Sequence, residues 1–192
     1  MRPRRPPSPA WWTFLKTHVT ELVALDFFTV PTIGFKVLFV LIVLAHNRRK
    51  VLHFNGTTHP TAQWTAQHLV EAFPWETAPK YLLRDRGAVY GEGFQRRVAN
   101  LGMDQILTAG RSPWQCAVAD RLIGSVRREC LDHVIVFSEA RLRRLLASYF
   151  HCYNTVRPHS ALGYRPPAPA ARAIPALAPM LLPALALGAG LN

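Results

Sequence analysis

Acidic residues are scarce in this chain. Only 11 Asp and Glu stand among 192 residues, against 23 Lys and Arg, for a formal net charge of +12. Lysine is scarce too, with 4 against 19 Arg. That balance suits a polyanion, because the guanidinium forks onto phosphate oxygens. A membrane surface or an acidic protein would fit the same sign. Cysteine is limited to Cys116, Cys130 and Cys152, an odd number without a CxxC pair. This argues against a disulfide framework and a zinc site, and fits a reducing cytoplasm. The eight histidines offer no ligand-like spacing; His46, His53 and His59 read as hairpin and loop residues. Long apolar runs are missing as well. The longest, Val37 to Ala45, is far short of the roughly 20 residues a membrane-spanning helix needs, so it reads as a buried strand. Met1 to Pro9 carries three Arg with no apolar run directly after it, which excludes a signal peptide.

What is present is a regular succession of elements. Residues 1–19 read as a basic, Pro-rich arm, 20–168 as one core domain, and 169–192 as an Ala/Pro/Leu tail without order. Leu22 to Val30, Phe35 to Ala45 and Lys50 to Thr57 predict three strands in an antiparallel meander. Residues 61–73 carry apolar side chains at helical spacing, and Pro74 helps to end that helix. Tyr81 to Leu83 predicts a short strand, Phe94 to Leu101 a helix and Met103 to Thr108 a fifth strand. Ser112 and Pro113 predict the start of a helix that runs to about Cys130. Ser138 predicts a last helix, to about Tyr153. The order is that of a mixed α/β domain, a central sheet with helices on its faces.

With so few acids, three are conspicuous. Asp26 sits inside an apolar strand between Leu25 and Phe27, where a charge is expensive unless paired or bound to a metal. Asp85 ends an apolar strand before a Gly-containing loop, the side of α/β sheets where ligands bind. Asp120 lies in the helix expected after Pro113, one turn before Gly124, which leaves room for a close approach. Taken singly, each has an ordinary reading, as a strand-edge charge, a turn residue and a solvated helix residue. Were they to converge, they would offer oxygen ligands to Mg²⁺ or Mn²⁺.

Four segments resemble a known family: LDFFTVPT, LLRDRGAVYGEGF, RSPWQCAVADRLIGSVRRECLDHVIVF and YNTVRPHSALGYRPP. They are similar to successive blocks of the integrase catalytic core of bacterial insertion-sequence transposases, of the Asp-Asp-Glu type. The resemblance runs from about residue 20 to 168 and implies a ribonuclease H-like fold with a five-stranded mixed sheet. It also implies Asp26, Asp85 and Asp120 as catalytic metal ligands, with two Mg²⁺ or Mn²⁺ ions. Asp120 follows Asp85 by 35 residues, as in this subgroup, but the family has Glu there. Gly110 and Cys116 stand where relatives usually have Pro and Asn. The helix-turn-helix region that usually precedes the core is not part of this sequence, so a fragment of a longer element or a degraded copy is expected.

The activity implied is metal-dependent cleavage of DNA ends and strand transfer, by a homo-oligomer assembled on DNA at the bacterial nucleoid, without a membrane. The rivals are a catalytically impaired, DNA-binding remnant and a cellular ribonuclease H-like nuclease. Gln115, Arg121, Arg127 and Arg128 flank or extend from the Asp120 position and are the expected DNA contacts. Val118, Leu122 and Val126 are expected to pack on the sheet. Arg141, Arg143 and Arg144 read as a solvated cluster. Arg157 and His159 either dock the C-terminal segment or touch DNA.

Overall fold

The most apolar stretch of the chain forms the inner part of the sheet. In the computed structural model, which describes residues 9–74, 77–109 and 116–168, this is strand β2, Val37–Ala45. It pairs antiparallel with β1, Leu22–Pro31, on one side and β3, Lys50–Thr57, on the other. Strands β4, Tyr81–Arg84, and β5, Asp104–Leu107, join parallel beyond β1. The order β3-β2-β1-β4-β5 is the five-stranded mixed sheet expected of a ribonuclease H-like fold.

Both faces of the sheet are covered, which is why β2 is apolar throughout rather than alternating. On one face lie α2, Ala62–Ala72, and α3, Glu92–Asn100, whose Leu69, Phe94 and Val98 pack against Val23, Leu25 and Leu82. On the other lie α4, Ala117–Glu129, and α5, Glu139–Thr155. There Leu122, Val126, Leu142 and Phe150 pack against Ala24, Phe28 and Val40. The helix starts follow local chemistry. The Thr61 hydroxyl accepts from the Trp64 N–H at 3.1 Å, and Ser138 caps α5 through the Arg141 N–H at 3.3 Å. Gly102 leaves α3 at φ +72°, a conformation that costs glycine little.

Three details differ from the sequence reading. Residues 9–18 are not arm but helix α1, Pro9–His18, and its Trp11 and Leu15 pack against the α4/α5 side of the core. The β1–β2 hairpin interrupts the apolar run. Phe35 stands at its tip with φ +57°, 98% exposed. Helix α4 begins at Ala117, with Cys116 at its cap position. The expected Ser112 cap and Pro113 lie outside the described residues, as do residues 1–8 and the tail from 169 on.

Phe94 is fully buried beneath the sheet. Phe94→Ala is expected to cost about 3–5 kcal/mol, measurable as a lower urea midpoint at unchanged slope.

Candidate active site

Side-chain alternation decides which face each acid meets. Leu22, Ala24, Phe28 and Val30 of β1 enter the α4/α5 core, whereas Val23 and Leu25 enter the other. Asp26 shares the parity of the first set. In β4, Leu83 enters the α4/α5 core and Leu82 the other, so Asp85 shares the parity of Leu83. The parallel register pairs Leu25 with Arg84. Asp26 and Asp85 are the next step along that register, on strands about 4.8 Å apart. Helix α4 lies on this same face through Ala119, Leu122 and Val126, all buried. Asp120 follows Ala119 on the exposed side of the helix.

The electrostatics report the proximity. The Asp26 carboxyl is pushed up to about 7, first by burial and then by the negative fields of Asp120 and Asp85. The Phe27 N–H, donating to Asp26 Oδ1 at 2.8 Å, partly offsets this. Burial also raises the Asp120 carboxyl. Cys116 feels Asp26, Asp120 and Asp85 together, and its thiol is pushed up to about 12, chiefly by burial. The three acids therefore share one neighbourhood. They do not all close to ligand distance. Among the described residues, the one trio of His, Cys, Asp or Glu side chains whose ligand atoms all lie within 4.8 Å of one another is His53, His68 and Glu71.

Asp85 is held by its surroundings. Its Oδ1 accepts from the Gly87 N–H at 3.1 Å, and a Cβ on Gly87 would come within 3.2 Å of that oxygen. Behind it, Arg84 is buried on the α2/α3 face, its guanidinium 4.7 Å from the Tyr90 ring centroid. It donates to Gln105 Oε1 at 2.8 Å and to the Asp85 carbonyl at 2.9 Å. Arg84 thus positions the main chain that carries Asp85. Sequence reasoning missed this. The available signal was an Arg completing an apolar strand, followed by aromatic residues at 90 and 94.

The basic residues of α4 are arranged around Asp120. Arg128 folds back so that a Cβ on Gly124 would lie 3.2 Å from its Nη1. The space left by Gly124 is taken by this guanidinium. Arg127 Nη2 donates to the Thr29 carbonyl of β1 at 3.3 Å. Arg121 and Arg128 line a cleft of about 460 Å³ with Asp120, Arg49 and Arg157. Gln115 lies outside the described residues. Of the three residues expected to pack, Leu122 and Val126 are buried, and Val118 packs half-buried at the edge of the core beside the cleft; Ala119 is buried as well. The C-terminal segment is docked. Arg157 pairs with Glu129 at 2.6 Å, and His159 Nε2 lies 3.3 Å from the Tyr153 carbonyl. His53, expected in a hairpin or loop, lies in β3 and faces α2.

The Asp26 shift has a consequence for stability. The unfolded chain releases this proton near 3.8 and the folded one near 7. Between those values the folded state binds more protons, so metal-free stability falls as pH rises from about 4 to about 7. Asp26→Asn is expected to flatten that slope and to raise Tm at pH 8, in chelator, by several degrees. An unchanged slope in melting curves from pH 4 to 8 would contradict this.

Residues 101–167 match the integrase core domain family. Over 92 residues, 47% of its length, the chain is 33% identical to Escherichia coli InsD transposases of IS2 insertion elements. It spans 42% of the InsD protein of IS2E and 31% of that of IS2A/D/F/H/I/K. In fold it is similar to a chain of the simian T-cell lymphotropic virus intasome, with TM-score 0.62 at 11% identity, covering 77% of this chain and 52% of that one. The HTLV-2 integrase catalytic core, determined in complex with magnesium, gives TM-score 0.54 at 12% identity over 76% of this chain and 93% of that one. No helix among the described residues is long and apolar enough to cross a membrane. The likeness named from sequence therefore holds at both levels: this chain is similar to insertion-sequence transposases over about half its length, and it has the fold of an integrase catalytic core.

Proposed function

We propose that this chain is the catalytic domain of a DNA transposase, cleaving phosphodiester bonds at element ends and joining them to target DNA. The observation that carries this is the gathering of Asp85 and Asp120 around Asp26, close enough for both to act on its carboxyl, at one end of an integrase-type sheet. An all-carboxylate donor set fits Mg²⁺ or Mn²⁺, and the Asp26 carboxyl, disfavoured as a lone anion, gains most from a neighbouring cation. Asp26, Asp85 and Asp120 would hold the metal, with two ions expected. Bound there, such ions activate an attacking oxygen and stabilise the leaving one.

The chain's other groups supply position and charge. Arg84 holds the Asp85 backbone. Arg121, Arg127 and Arg128, with Gln115, contact phosphates on either side of the reacting one, and the cleft beside Asp120 admits the strand. Water attacks first and frees a 3′-hydroxyl, which then attacks the target strand. No covalent protein–DNA intermediate is required. Holding two ends calls for a homo-oligomer on DNA.

The test is purified chain with Mn²⁺ and duplexes carrying the flanking inverted repeats. Nicking at the repeat ends is expected, and RNA–DNA hybrid cleaved in preference would overturn the reading. One observation favours a second reading, a DNA-binding remnant. Asp120 is short, and the three carboxylates do not all come within 4.8 Å of one another. Steeply salt-dependent binding without cleavage in any metal would decide for it.

A further inference from the structure

We propose that His53, His68 and Glu71 form a site for one transition-metal ion of the Zn²⁺ class, separate from the aspartates. The ligands come from two elements that pack face to face, the edge strand β3 and helix α2. His53 sits beside the β-bulge opposite Val43 and Leu44 and turns its ring toward α2. His68 is buried, and Glu71 follows it by one turn on the same side of the helix.

The distances suit a small tetrahedral ion. His53 Nε2 lies 3.2 Å from His68 Nδ1. Glu71 Oε2 lies 2.7 Å from His68 Nδ1 and 3.8 Å from His53 Nε2. Bonds of about 2.0–2.1 Å set neighbouring tetrahedral ligands about 3.3–3.4 Å apart. Shifts of about half an ångström bring all three contacts to that value. Two imidazoles and one carboxylate select Zn²⁺, Co²⁺ or Ni²⁺ over Mg²⁺, whereas the carboxylates of Asp26, Asp85 and Asp120 have the opposite preference.

The hydrogen bonding points the same way. His68 Nδ1 has room for one proton or one lone pair, yet His53 Nε2, Glu71 Oε2 and Asn55 Nδ2 all approach it, the last at 3.4 Å. A cation between them lets His53, His68 and Glu71 each donate a lone pair. With the ion on Nδ1, His68 Nε2 carries the proton. Asn55 Nδ2, now 2.9 Å from Nε2, then swings aside, since the Asn55 amide oxygen is held by the Gly56 N–H at 2.8 Å. The bound ion ties β3 to α2, leaving a fourth position to water.

The test uses the full chain without a histidine tag, stripped by chelator and titrated with ZnCl₂ in excess Mg²⁺. One Zn²⁺ per chain is expected, with a rise in Tm on saturation. Affinity should fall at least about 100-fold in His53→Gln and about tenfold or more in Glu71→Gln. It should be unchanged in the Asp26→Asn, Asp85→Asn double variant. Co²⁺ should give the visible bands of a four-coordinate site, lost in His53→Gln. Glu71 is exposed and not needed for packing, so Glu71→Gln reports even if His68→Ala fails to fold. Unaltered zinc affinity in both His53→Gln and Glu71→Gln, loss of zinc in the double Asp variant, or no stoichiometric binding in the parent chain would overturn the proposal.

Discussion

Asp85→Asn is expected to abolish Mn²⁺-dependent nicking, by at least about a thousandfold. The substitution keeps shape and removes charge. Asp85 is exposed at the end of β4, and its Oδ1 bond to the Gly87 N–H can be kept by the Asn oxygen. The fold should therefore survive, with Tm within about 2 °C of the parent. What is lost is one of the three carboxylates of the proposed metal site, and with it the preference for a cation. Nicking that persisted in Asp85→Asn, at any Mn²⁺ concentration, would remove Asp85 from the chemistry.

Asp120→Glu is expected to raise activity about a hundredfold. Catalytic groups tolerate about 0.5 Å of misplacement, and the missing methylene withdraws the carboxylate by about one C–C bond, roughly 1.5 Å. Misplacement by about 1 Å costs on the order of a hundredfold in rate. Asp120 is on the exposed side of α4 and lines the cleft, so the longer side chain extends into open space. Single-turnover cleavage by the parent chain and by Asp120→Glu, at matched Mn²⁺, is the measurement. Equal rates would mean that the helix already compensates for the shorter acid. No activity in either, with DNA binding intact, would favour the remnant reading.

The strands were legible because they are apolar runs set off by turn residues, and the meander set the order of the first three; the parallel docking of β4 and β5 beyond β1 is a long-range pairing that no local signal encodes. Asp26 and Asp85 stood out for a physical reason, a charge in or at the end of a buried strand. Asp120 had only the weaker mark of Gly124 one turn beyond it, and its role as third ligand came from the family likeness. The packed face of α4 was read from Val118, Leu122 and Val126, and Ala119 was left out because a single methyl carries little weight in a hydrophobic pattern, although it is buried there too. Phe35 was read into β2 because a turn can hold a large apolar residue when the chain bends at Gly34. His53 and His68 meet only because β3 packs on α2. No local spacing encodes a contact between two elements. Arg84 hid for the same reason, since its rings lie in α3 and the turn before it.

The pairing of β1 with β4 joins residues about 60 positions apart in parallel, while β1, β2 and β3 are joined by short turns. Local hairpins close quickly and distant parallel strands slowly. A meander formed before β4 docks would leave one flank of β1 open, an apolar edge of the sort that recruits other chains. Asp26 lies in the middle of that edge. A charge in such a strand deters stray pairing. The residue that ends beside Asp85 and Asp120 would thus also guard a half-built sheet until β4 arrives carrying Asp85.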